Sequence, residues 1–285
     1  MRAAGGTGSG DGGEGRVLRA TGPDGRSVFI KDFGKEGVSF GCRVHARLSA
    51  ILPAGIWSAS PPADPRQRVA RELRKSARFR AAGIAVPDLA PAGPTALSAS
   101  DAGSDTQAVL KRLRLEGETA RHDALLVALA GSLAEIHAAG LCHGRPHPRD
   151  TAPLGGGRFV WFDFEEEPEA AMPLSDAQAR DLWLLFFQVC HRAIDPQTPL
   201  RAMAAYRARA PETASTRLRL HLCRLAWTLG PGRLLLRLHN GGDLLRYVAA
   251  TTFLLAALTG VDPMPGPLAP RPAATWSEED GGPSL

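Results

Sequence analysis

The stretch that decides how this chain reads is HGRPHPRD, residues 143–150, taken with VWFDFEEE at residues 160–167. The first follows LAEIHAAGLC, which has helical spacing, and precedes a β-rich run. Histidine, glycine, arginine and aspartate therefore crowd into one short helix-to-strand connection. Pro146 and Pro148 exclude a helix across it, so His143 and His147 lack the helical i,i+4 geometry that binds zinc readily. His143 is expected to be a packed histidine that holds the loop against Asp163 and Phe164. Asp163 is framed by Trp161, Phe162 and Phe164, and a carboxylate among aromatic rings needs a cation or hydrogen-bond donors. The other acids of DFEEE read as a solvated loop.

Outward from this core, HDALLVALAGSLAEIHAAG (122–140) predicts a helix with Leu125, Leu129, Leu133 and Ile136 on one face and Gly140 as its stop. RDLWLLFFQVCHRAI (180–194) predicts a helix that is apolar nearly all round and therefore deeply buried. Two more leucine-rich helices are expected within 216–260. Upstream, RVLRAT and RSVFIKDF flank GPDG, a hairpin signal. RQRVARELRKSARFRAAG (66–83) predicts a basic amphipathic helix with Val69, Leu73 and Ala77 on one face, closed by Gly83. IAVPDLA (84–90) and QAVLKRLRLEG (107–117) are expected strands on either side of a loop rich in Pro, Ser and Ala. Lys31 ends a hairpin strand, where an inward lysine could reach a bound nucleotide. Glu72 could turn inward toward Lys31, or pair with Arg68, Lys75 or Ser76 on a solvated helix face.

Composition sets the class. The chain has 285 residues, 44% of them hydrophobic and 22% charged, which suits a folded soluble protein of one large domain or two small lobes. A small strand-rich half precedes a larger helical half without βαβα alternation, so the expected class is α+β. The expected division is a glycine-rich leader at 1–15, a nucleotide-binding half at 16–115, a helical half at 116–262 carrying the loop motif, and a disordered tail at 263–285. Net charge is +5, modest and spread out, so it reads as solubility and no nucleic-acid partner is expected. The arginines of the leucine-rich C-terminal segment leave peripheral membrane contact as a minor alternative. Cys42, Cys142, Cys190 and Cys223 form no CxxC pair, which argues against a zinc module or a disulfide framework. With no secretory signal and no apolar run long enough for a confident membrane span, a cytoplasmic protein is expected.

Phosphoryl transfer from ATP needs a cation on the α/β-phosphates, a carboxylate orienting that cation, metal ligands near the β/γ-phosphates, and usually a base near the acceptor hydroxyl. Here FIK, REL, HGRPHPRD and DFE together resemble the motifs of the protein-kinase-like superfamily. The likeness is nearest to the small bacterial kinases of the lipopolysaccharide core, the Kdo kinases and their RIO-like relatives, and it covers about residues 16–200. It implies a two-lobed fold with Lys31 and Glu72 binding ATP, Asp150 and Asp163 holding Mg²⁺ (or Mn²⁺), and His143 and Asp181 bracing the loop. It places Arg145 where the catalytic aspartate stands and Asp150 where the metal-binding asparagine stands. The implied acceptor is a lipopolysaccharide or other saccharide, or a protein hydroxyl.

An arginine cannot accept a proton. Loss of a general base costs about 10²- to 10⁴-fold in rate, whereas phosphoryl transfer rests mostly on positioning and charge stabilisation. Two expectations follow: an atypical kinase with Arg145, Asp150 and Asp163 at the reacting centre, or a nucleotide-binding pseudokinase acting as a regulatory module.

Overall fold

The computed structural model describes residues 17–21, 25, 27–35, 56, 58, 60–238 and 241–260. The expected leader, the tail, Cys42 and most of the 41–65 stretch lie outside them.

Strands β1 (Val17–Thr21) and β2 (Ser27–Asp32) form the antiparallel hairpin expected from the Pro-Asp-Gly signal, with Val17 opposite Lys31. Helix α1 (Pro65–Ala81) starts at a capping box in which Asp64 accepts from the Gln67 amide and Gln67 accepts from the Asp64 amide. Its buried positions are Val69, Arg71, Glu72, Lys75, Ser76 and Phe79. Ala77, expected on the buried face, is exposed. The inward face is therefore partly polar, which a search for apolar periodicity cannot detect.

Two strand expectations are corrected. Residues 106–115 form helix α2 (Thr106–Leu115), not a strand. Asp105 accepts from the Ala108 amide, and Leu110 and Leu113 are buried at i,i+3 spacing while Leu115 is exposed. The alternation of VLKRLRL imitated a strand. Of IAVPDLA, only its end enters a strand, the three-residue β3 (Leu89–Pro91). The other strand is β4 (Ala96–Ser100), within the stretch read as loop. ALSAS has no β-branched or aromatic residue, and it is a strand because β2 and β3 pair with it on both sides. The sheet is antiparallel throughout, in the order β1-β2-β4-β3.

The rest is mostly helical. Helix α3 (Thr119–Ala138) buries Leu129, Leu133 and Ile136 completely and ends ahead of Gly140, which has the left-handed φ of 71° that suits glycine. The loop motif leads to a two-stranded hairpin, β5 (Thr151–Gly155) and β6 (Arg158–Trp161). Helix α4 (Leu174–Arg192) is buried on nearly all sides, as its composition predicts. Helix α5 (Thr198–Arg207) then packs on α3. Three helices, not two, complete the described chain: α6 (Glu212–Leu225), α7 (Leu229–Leu238) and α8 (Gly242–Thr259). The main core joins α3, α4, α6 and α8 through Leu129, Leu133, Leu182, Phe186, Leu218 and Leu254. Among the described residues no helix is long and apolar enough to cross a membrane.

Candidate functional site

Lys31 on β2 pairs across the sheet with Leu97, and its Nζ lies 5.0 Å from the centre of the Phe33 ring, which is fully buried against Val69 and Leu97. Lys31 therefore points under α1 instead of into solvent. Its Nζ lies 3.0 Å from Glu72 Oε2, 2.5 Å from Asp163 Oδ1 and 2.5 Å from Glu165 Oε1. Glu72 is buried, with Lys31 as its ion-pair partner, so the solvated-face alternative for Glu72 does not hold.

The loop after α3 is fixed by buried hydrogen bonds. Asp181, on α4, accepts from the backbone amides of His143 at 2.6 Å and Gly144 at 2.9 Å, and its Oδ2 lies 3.4 Å from His137 Nε2. Burial pushes the Asp181 carboxyl up, but His137 and neighbouring positive charge outweigh it and hold the group below the usual carboxylate range. His143 donates from Nε2 to the Phe162 carbonyl at 3.0 Å, and its ring lies 5.2 Å from those of Trp161 and Phe164. Burial lowers its pKa to about 4, so the ring is neutral at pH 7. Gly144 has a φ of 107°, and a Cβ there would meet the Glu166 carbonyl at 3.0 Å; both constraints demand glycine. His147 accepts from the Arg149 amide through Nδ1 and, like His143, serves the loop backbone.

Pairing of Thr151 with Trp161 returns the chain so that the Phe162 amide donates to the Asp150 carbonyl at 3.1 Å. Asp150 and Asp163 thus line one cavity of about 400 Å³, together with Lys31, Glu72, Phe29 and Phe162. That size suits a small-molecule ligand. A larger hollow of about 790 Å³ lies against α3 and the β5–β6 turn and contains none of these residues. Asp163 has a φ of 67°, a left-handed conformation rare outside glycine and often found where a side chain is aimed for function. Its Oδ2 lies 3.4 Å from Arg145 Nη2.

Asp150 differs from Asp163. It is 4% exposed, its Oδ2 has no hydrogen-bond partner, and Arg149 Nε approaches its Oδ1 only to 3.6 Å. Burial, with the Asp163 charge added, pushes its pKa well up, against the opposing charges of Arg145 and Arg149.

Sequence reasoning missed two groups. The run after Asp163 is not a solvated loop, because it is tied to the basic side of α1. Glu165 pairs with Lys31 and with Arg68 at 2.7 Å, and Glu167 pairs with Arg71 at 3.2 Å and Arg74 at 2.7 Å. Lys75, 1% exposed, donates to the carbonyls of His143 at 3.0 Å and Glu166 at 2.7 Å, which joins α1 to both loops. The signal was present as two opposite charge runs, RQRVARELRKSAR and EEEPE. Nothing local in the sequence says that they meet.

A divalent ion at Asp163 would meet opposing charge. Oxygens of Glu72, Asp163 and Glu165 lie within 4.8 Å of one another, but the Lys31 ammonium sits among them. Arg145 faces the other oxygen of Asp163. Two unit charges 4 Å apart repel by about 4 kcal/mol near a protein surface, and a divalent ion doubles that. As arranged, Lys31 and Arg145 face the two oxygens of Asp163, so a divalent ion there would have to displace one of them, whereas Asp150 Oδ2 has no hydrogen-bond partner. No protein-family model matches the chain, and no curated protein matches it.

Proposed function

We propose that this chain is a two-lobed, protein-kinase-like protein that binds ATP in the cavity beside Lys31 and acts as an ATP-dependent phosphotransferase. The observation that carries this reading is Lys31 held between Glu72 and Asp163, on a strand, a helix and a loop distant in sequence. A lysine held at a cavity wall by three carboxylates, Glu165 included, can exchange one of them for α- and β-phosphate oxygens. Asp181 supports it by fixing the loop that carries Arg145 and Asp150. The acceptor in this reading is a saccharide, lipopolysaccharide included, or a protein hydroxyl.

The contact between Arg145 and Asp163 favours a second reading, a nucleotide-binding pseudokinase that acts as a regulatory or interaction module. Arg145 cannot act as a base, and it faces the carboxylate on which transfer chemistry would depend. Transfer of the γ-phosphate from labelled ATP to a panel of saccharides and proteins separates the two. Transfer that is lost in Asp163→Ala and survives Arg145→Ala supports the enzyme. Thermal stabilisation by ATP without transfer supports the pseudokinase. Absence of stabilisation by any nucleotide contradicts both.

A further inference from the structure

From the arrangement around Asp163, we infer that Arg145 takes the place of a divalent cation, so that ATP binds this protein without one. The inference rests on the nucleotide-binding reading above and concerns the form in which the nucleotide binds. Both oxygens of Asp163 face cationic side chains, Lys31 Nζ at Oδ1 and Arg145 Nη2 at Oδ2. An ion on Oδ2 would sit against a guanidinium that never loses its proton. Arg145 and a divalent ion are therefore alternatives at that oxygen.

The rest of the cluster is balanced by side chains in the same way. Lys31, Arg68 and Arg145 face Glu72, Glu165 and Asp163, with closest N–O distances from 2.5 to 3.4 Å. A guanidinium presents a planar fork of donors that can bridge a carboxylate and a phosphate, as a bound ion does between a carboxylate and the β/γ-oxygens. The Arg145 side chain is 33% exposed and stands beside Asp163, which lines the cavity. Arginine at this position then has a defined purpose: it sacrifices the base and supplies a permanent counter-charge for the triphosphate.

ATP affinity of the full chain, measured by displacement of a fluorescent nucleotide in excess EDTA and in excess MgCl₂, tests this. The wild type should bind ATP equally in both. Arg145→Gln, which keeps most of the side-chain volume, should lose about ten- to hundredfold in EDTA, the size of a lost charge-assisted hydrogen bond. Arg145→Asp should lose binding in EDTA and recover it in MgCl₂. Wild-type binding that requires MgCl₂ overturns the inference and leaves the nucleotide reading standing. So does an Arg145→Gln variant that binds in EDTA as well as the wild type. Absence of ATP binding in both buffers overturns both.

Discussion

Lys31 Nζ lies 3.0 Å from Glu72 and 2.5 Å from Asp163, so one ammonium joins a strand to a helix 41 residues away and a loop 132 residues away. All three side chains are largely buried, at 16%, 6% and 17% exposure. The cluster therefore contributes to stability as well as to any ligand site. Removing one member leaves the others as charges short of a partner.

Lys31→Met should destabilise the fold by about 3–5 kcal/mol, the usual cost of breaking a buried ion pair from one side. Urea unfolding measures it. The double variant Lys31→Met, Glu72→Met should recover part of the loss, because the buried Glu72 carboxylate that faced Lys31 is then gone. A double variant as unstable as the sum of the two single variants would contradict the pairing.

Lys75 and Arg74 adjoin on α1 and should behave differently. Lys75→Met should cost about 3 kcal/mol, since it removes a buried cation bonded to two loop carbonyls. Arg74 is 53% exposed, so Arg74→Ala should cost less than about 1 kcal/mol, and that cost should shrink in high salt. Equal losses would contradict the assignment of Lys75 as the link between α1 and the loops.

Asp150 and Asp181 predict opposite signs. Asp150 is buried with an unpartnered oxygen, and its raised pKa means that ionising it at neutral pH works against folding. Asp150→Asn should therefore raise stability at pH 7, by about 1 kcal/mol, a typical gain where a site is strained for function. Asp181→Asn should lower the melting temperature by several degrees, since the amide cannot accept both loop N–H groups as the carboxylate does. Two calorimetric scans decide it.

Acid should weaken the fold in two stages. Burial lowers the pKa of His122, His143 and His147, that of His143 to about 4. Unfolded, each takes up its proton near pH 6.5, so the unfolded state binds more protons below that value. The histidines' contribution is complete above pH 6.5 and falls as pH drops below it, for His143 down to about 4, by up to about 1.4 kcal/mol per pH unit for each histidine. Asp123, Asp176 and Asp181 have depressed pKa values and contribute above about 3.8, so their share is lost only at lower pH. Urea midpoints from pH 8 to pH 3 should show both stages. A flat profile from pH 6.5 to 4 would contradict the neutral, buried histidines.

Much of this was legible in the residues, for identifiable reasons. Pro-Asp-Gly marked the hairpin, and leucines at helical spacing marked α3. The spacing from His143 to Asp163 marked two loops that the β5–β6 pairing brings together. The losses came where tertiary contact overrides local pattern. Strand β4 is built of Ala and Ser and exists through its neighbours. Helix α2 alternates like a strand, yet it is capped by Asp105 and buries Leu110 with Leu113. The inward face of α1 carries Glu72 and Lys75, whose partners lie far along the chain. A polar buried face has no apolar period to read.

The most direct test of the central claim is which lysine lies against the phosphates. The chain has four: Lys31, Lys35, Lys75 and Lys111. An acyl-phosphate derivative of ATP transfers its acyl group to a lysine beside the bound phosphates, and peptide mass spectrometry locates the label. Labelling is expected at Lys31, suppressed by excess ATP and reduced in Asp163→Ala. Labelling confined to the other lysines, or labelling at Lys31 that ATP does not suppress, would contradict it.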